Sequence, residues 1–256
     1  MERFGPCAGG DLIMTKPRVA IFDFACCEGC QLQIVNLEED ILNLIELVDV
    51  VEWREAMSEQ SHEYDIAIIE GSITREEDAK RLEVIRSRAK ILIALGACAT
   101  IGGINRMKNN FDLQEVRSCV YGKDGAMPHL NTQPTKACHE VVEVDYKIHG
   151  CPINNAEFAR ILRALLLGKR PFVPDYPVCV ECKARETICR YEYNEICLGP
   201  IIRAGCNAPC PAAGFRCFGC RGLVDNPNLQ AAQEVMDKYD LTVDDLKQKM
   251  VLFNTK

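Results

Sequence analysis

The chain has 256 residues, 48% hydrophobic and 26% charged, with a net charge of −7. That balance is ordinary for a water-soluble globular protein with room for one larger and one smaller unit. It argues against nucleic acid as a partner, because phosphate binding needs a clustered basic surface. No apolar run approaches the roughly 18–20 residues of a membrane span; even Ile41–Val51 is interrupted by Asn43, Glu46 and Asp49. Met1 to Lys16 holds neither an apolar core nor a twin-arginine pair, so no export signal is read and a cytoplasmic location is expected. Sixteen cysteines are the outlying number. In a small secreted chain they would imply disulfides; in a cytoplasmic chain of this size they imply metal.

In chain order, Arg18–Phe24 reads as a buried strand, and Gln31–Val48 as one helix with Ile34, Leu37, Ile41, Leu44, Ile45 and Val48 at helical spacing. Asp49–Trp53 and Asp65–Ile69 are the second and third strands. Thr74 and Glu77 are spaced as a capping box for a helix whose apolar face is Ala79, Leu82 and Ile85. Lys90–Leu95 is a fourth strand, and Val141–Ile148 contains a fifth. A helix from about Asn155 follows, carrying Phe158, Ile161, Leu162 and Leu165 and stopping at Gly168. Alternating strands and helices predict an α/β, flavodoxin-like domain with a parallel sheet covered on both faces. Asn105–Glu140 departs from the rhythm, with one helix over Asp112–Tyr121; so long an excursion implies a function or a contact.

From Pro171 to Arg221 proline, glycine and cysteine dominate, no element of normal length can be drawn, and the segment's own side chains promise no core. Two short helices follow, Leu229–Tyr239 and Val243–Phe253, the second opened by Thr242. The expected division is a flavodoxin-like domain over 1–168 and an irregular, cysteine-rich iron–sulfur domain with short helices over 169–256.

The tail carries Cys179-x2-Cys182-x6-Cys189-x7-Cys197-x8-Cys206-x3-Cys210-x6-Cys217-x2-Cys220. Eight thiolates make two four-thiolate sites, suited to zinc or to iron–sulfur clusters. A second set separates the two readings. Cys27 and Cys30 follow the first strand, Cys98 the fourth and Cys151 the fifth. In an open parallel sheet, ligands bind outside the carboxyl ends of the strands. Three loops can therefore bring four cysteines to one object, across separations far longer than a zinc knuckle uses. Cys7, Cys119 and Cys138 belong to no motif, and His62, His129, His139 and His149 are scattered. His149 lies close enough to Cys151 in sequence to stand behind it. No GxGxxG follows a strand and no GxxxxGK[ST] occurs, so neither a dinucleotide nor a nucleotide phosphate has a visible cradle.

These motifs occur in an informative order: Cys27-Glu28-Gly29-Cys30-Gln31-Leu32-Gln33, Glu70-Gly71-Ser72, Gly96-Ala97-Cys98-Ala99, Gly150-Cys151-Pro152, Gly199-Pro200 and Arg203-Ala204-Gly205-Cys206-Asn207. With them the chain resembles, from about Arg18 to Asp225, the small (delta) subunit of soluble cytoplasmic nickel–iron hydrogenases, the group with sulfhydrogenases and NAD(P)-linked enzymes. The resemblance implies three 4Fe–4S clusters: proximal on Cys27, Cys30, Cys98 and Cys151, distal on Cys179, Cys182, Cys189 and Cys197, and medial on Cys206, Cys210, Cys217 and Cys220. Many relatives lack a cysteine matching Cys210 and carry a three-iron medial cluster, so its presence implies four irons. Cys179 stands where related subunits place a histidine; an all-thiolate set adds negative charge and should lower the distal potential. The resemblance also implies a nickel-bearing large subunit, a flavin/NAD(P) diaphorase or iron–sulfur subunit as further partner, and no catalytic residue on this chain.

Cys26 makes a tandem pair with Cys27. The small iron–sulfur subunit of respiratory complex I, a distant relative, uses a tandem pair as ligands, so Cys26 rivals Cys30; Glu-Gly-Cys and the eight-cysteine tail favour Cys30. The other readings are a zinc-stabilised interaction module, which would be colourless and lack acid-labile sulfide, and a freestanding ferredoxin, which the long excursion argues against.

Overall fold

The computed structural model describes residues 16–122 and 131–253. Cys7 and His129 lie outside the described residues. Five strands form one parallel sheet: β1 (Arg18–Asp23), β2 (Asp49–Trp53), β3 (Ile66–Glu70), β4 (Ile91–Leu95) and β5 (Tyr146–Ile148), in the order β2-β1-β3-β4-β5. This is the flavodoxin order, with its switch point between β1 and β3. All five residues of β3 are buried, as a central strand covered on both faces requires.

Side chains alternate between two cores. Val19, Ile21, Ile66, Ile68, Ile93 and Leu95 face one, with Ile34, Leu44, Phe158 and Ile161. Ala20, Phe22, Ala67, Ile69, Leu92 and Ala94 face the other, with Leu82 and Ile85.

The single helix predicted over Gln31–Val48 is two, α1 (Gly29–Val35) and α2 (Glu39–Ile45), because Glu38 takes a left-handed φ of 53°. No glycine or proline marks the break. Both halves pack on α6 (Asn155–Leu166), and this tertiary contact overrides the helical periodicity. Helix α3 (Glu76–Arg88) begins after Arg75, so the expected Thr74 box does not form. Thr74 lies too early, and its carbonyl accepts from Gln133 N instead. Arg75 grips Asp78 through Nε and Nη2 at 3.2 and 2.8 Å.

Cys98 stands not in a loop but on a helix, α4 (Gly96–Ile101), which starts directly where β4 ends. The excursion then runs through a 3-10 helix (Ile104–Asn110), α5 (Leu113–Tyr121) and a short 3-10 turn (Cys138–Glu140). Asp112 caps α5 and Asn154 caps α6.

The tail holds α7 (Val178–Ala184), a 3-10 turn (Arg190–Tyr193), α8 (Pro209–Ala212), α9 (Leu229–Lys238) and α10 (Val243–Met250). Thr242 opens α10 as predicted, in a capping box with Asp245. Contrary to the sequence reading, the tail does bury a core of its own. Val178, Tyr191, Leu198, Ile201 and Ile202 close around Cys197 and Cys217, and Ala232 of α9 seals it. The apolar residues there are too irregularly spaced to show a period, because loops rather than helices carry them.

Candidate metal centres

The ends of β1, β3, β4 and β5 are stitched into one rim. Ala25 and Ser72 exchange backbone hydrogen bonds at 3.2 and 3.0 Å. Asn105 Nδ2 donates to Ala25 O and to Ser72 Oγ. Ala97 N donates to Gly150 O at 2.6 Å. Buried Glu70, the last residue of β3, accepts from Cys30 N at 3.1 Å and Gln31 N at 3.3 Å, holding the start of α1.

On this rim the chain gathers Cys27, Cys30, Cys98 and Cys151, and also Cys26. Burial pushes the Cys98 thiol up to about 12, and Cys151, Cys27, Cys26 and Glu70 add like-charge repulsion. Burial likewise raises Cys30, with Glu70 and Cys98 contributing, and takes Cys26 up to about 12. Cys27 and Cys151 are exposed, Cys30 buried and Cys26 half-buried. A Cβ at Gly96, where φ is +80°, would sit 2.3 Å from Cys30 Sγ, so only glycine leaves that sulfur its place.

In the tail, α7 carries Cys179 and Cys182, and Cys189 and Cys197 stand beside them. Burial lifts Cys179 to about 12, reinforced by Cys197, Cys182 and Cys189. Cys206, Cys210, Cys217 and Cys220 meet at a cavity of about 510 Å³ that Cys151 also lines, walled by Val178, Ile202, Pro211 and Phe218. Burial lifts Cys220 to about 12, with Cys206, Cys151 and Cys210 adding repulsion. Glu181 of α7 holds the turn that carries Cys206, accepting from Gly205 N and Asn207 N, both at 2.8 Å.

The three sets touch in sequence. Cys151 and Cys220 line the same cavity, and Cys217 N donates to Cys197 Sγ at 3.2 Å. Among the described residues, no three His, Cys, Asp or Glu side chains are gathered tightly enough for a single ion.

The remaining candidates stand apart. Cys119 is exposed on α5; Cys138 is buried, with its thiol 3.8 Å from Gly71 O. Burial pushes the His149 ring down to about 3, so it is neutral at any physiological pH. His62 lies 3.0 Å from Arg88 and His139 is not among the thiols.

The donor chemistry fits iron–sulfur clusters: thiols gathered in sets, one set on an apolar-walled cavity, with the Cys217 N–H aimed at the Cys197 sulfur. Sequence reasoning missed two groups that hold the site, Glu70 and Glu181. Glu70 stood in a noted motif, but nothing local marks a residue whose partners are distant in sequence.

A family described as NADH ubiquinone oxidoreductase, 20 Kd subunit, matches residues 27–165. Sulfhydrogenase 2 subunit delta of Pyrococcus furiosus is 34% identical over 92% of this chain and 98% of that one. NAD-reducing hydrogenase HoxS subunit delta of Cupriavidus necator is 33% identical over 61% of this chain and 81% of its own. Among solved structures, a chain of an NAD+-reducing nickel–iron hydrogenase in its hydrogen-reduced state superposes with a TM-score of 0.57 at 30% identity, covering 62% of this chain and 96% of that one. The chain belongs to the NADH ubiquinone oxidoreductase 20 Kd subunit family and, within it, to the small subunits of nickel–iron hydrogenases.

Proposed function

We propose that this chain is the electron-transfer subunit of a cytoplasmic nickel–iron hydrogenase assembly. Its first unit, 1–168, holds a proximal 4Fe–4S cluster on Cys27, Cys30, Cys98 and Cys151. Its second, 169–256, holds a distal cluster on Cys179, Cys182, Cys189 and Cys197 and a medial one on Cys206, Cys210, Cys217 and Cys220. When bound, such clusters supply one-electron transfer between the nickel–iron site of a large subunit and a flavin/NAD(P) diaphorase or iron–sulfur partner. The protein's part is to place them and tune their surroundings.

One observation supports this reading: the three proposed groups adjoin in series, with Cys151 and Cys220 lining one cavity and Cys217 N donating to Cys197 Sγ. Exposed Cys189 puts the distal group at the surface, where a further partner can approach. No helix among the described residues is long and apolar enough to cross a membrane.

A second reading of the first group rests on Cys26, whose place beside Cys98 would suit a complex-I-like ligand pair. Anaerobic purification of the native assembly, with iron, sulfide and nickel assays, tests the function. About 12 irons per copy are expected from three four-iron clusters, together with a nickel-bearing partner. Zinc in place of iron, or no such partner, overturns it. Cys30→Ala is expected to lose four irons and Cys26→Ala none; the reverse result selects the second reading.

A further inference from the structure

Arg221 is 1% exposed. Burying a guanidinium is costly unless every side of it is matched. Its Nη1 donates to Glu157 Oε2 at 2.8 Å and its Nη2 to Glu157 Oε1 at 2.9 Å, a forked pair joining the tail to α6. Its other bonds go to backbone: Nη1 to His149 O at 2.5 Å and Nε to Ala204 O at 2.7 Å. Each of these carbonyls opens a cysteine-bearing segment, His149-Gly150-Cys151 and Ala204-Gly205-Cys206, and Arg221 itself follows Cys220. A Cβ at Gly205, where φ is +114°, would lie 2.2 Å from Arg221 Nη2 and 2.6 Å from Glu157 Oε1, so the ion pair presses directly on the Cys206 segment. One planar fork thus grips three segments that carry cysteines of two neighbouring groups. Lysine, a point donor on a flexible stem, could not serve all of these acceptors at once.

We propose that Arg221, braced by Glu157, is the positioning residue that sets the distance between the proximal and medial cysteine groups, holding the Cys151 segment beside Cys206 and Cys220. This rests on the function proposed above. A pair kept only for stability could be replaced by apolar side chains of similar size at little cost. The structure assigns it a geometric task, because two of its bonds end on the backbone of the segments being spaced.

The test uses the whole anaerobically purified assembly, comparing the parent with Arg221→Lys and with the double variant Arg221→Met/Glu157→Met. The readouts are iron content, the electron paramagnetic resonance spectrum of the fully reduced assembly, and two rates. Hydrogen–deuterium exchange needs only the nickel–iron site; dye reduction needs the whole relay. Both variants are expected to keep the parental iron content and exchange rate, to lose the spectral splitting between the first two clusters, and to reduce dye at least tenfold more slowly. A double variant with the parental spectrum and dye rate overturns the proposal. So does loss of medial iron in both variants, since Arg221 would then serve assembly and not spacing. A parent lacking proximal and medial signals would instead overturn the proposed function.

Discussion

At the end of β3 a buried side chain, Glu70, accepts from Cys30 N and Gln31 N in the first turn of α1 while facing thiols that burial has already raised. Its hydrogen bonds are made to backbone donors at a helix start, where a carboxyl oxygen is well placed as acceptor. The opposite end of the same strand shows the reverse balance at Asp65. Burial would raise its carboxyl, but Lys90 Nζ at 2.8 Å and Arg18 N at 2.8 Å outweigh burial and hold it below the usual carboxylate range. Its folded value lies below its unfolded one, so its stabilisation is present above the ordinary carboxylate range and is lost as pH falls through the lowered value. Asp65→Asn is expected to cost up to about 1 kcal/mol at neutral pH. Urea unfolding across pH should show parent and variant converging in strong acid, and a gap that widens there would contradict the assignment.

Among the elements, the strands were legible because continuous apolar runs such as Ile66–Ile69 and Ile91–Leu95 leave little else for a chain to do. The break at Glu38 and the late start of α3 were not legible, since contacts with α6 and with Gln133 decide them from afar. Helix α4 was hidden for a different reason. Gly-Ala-Cys-Ala-Thr is too short and too small to show a period, yet it presents Cys98 on a first turn that packs against the β5 loop. That turn tolerates no side chain at its first residue. Gly96→Ala adds a Cβ in the left-handed region and drives it into Cys30 Sγ. The expected result is an assembly short of four irons with the tail's eight cysteines still loaded, read by iron assay and by loss of the proximal signal. A fully loaded Gly96→Ala protein would mean that Cys30 is not a ligand.

For the whole molecule, spacing and resemblance propose a division of the cysteines, but their contiguity was not readable: no sequence pattern says that Cys151 and Cys220 line one cavity or that Cys217 meets Cys197. The hinge of that arrangement, Arg221 with Glu157, joins residues that are far apart in sequence, and neither looks unusual alone. The surface carries a complementary sign of use. Leu32 and Val35 of α1 and Leu42 and Ile45 of α2 are exposed, on the pair of helices that begins at Gly29. Exposed apolar residues grouped this way mark an interaction surface. Leu32→Asp is expected to reduce the amount of large subunit that co-purifies at least tenfold while leaving iron per copy unchanged; undiminished recovery would place the large subunit elsewhere.

The tail's small core includes Cys197 and Cys217, 7% and 8% exposed, alongside Leu198 and Ile202. On the proposed ligand assignment these two sulfurs are core atoms and ligands at once, so binding of the metal and closing of this core belong to one folding event, and a tail denied its metal is expected to leave this core loose.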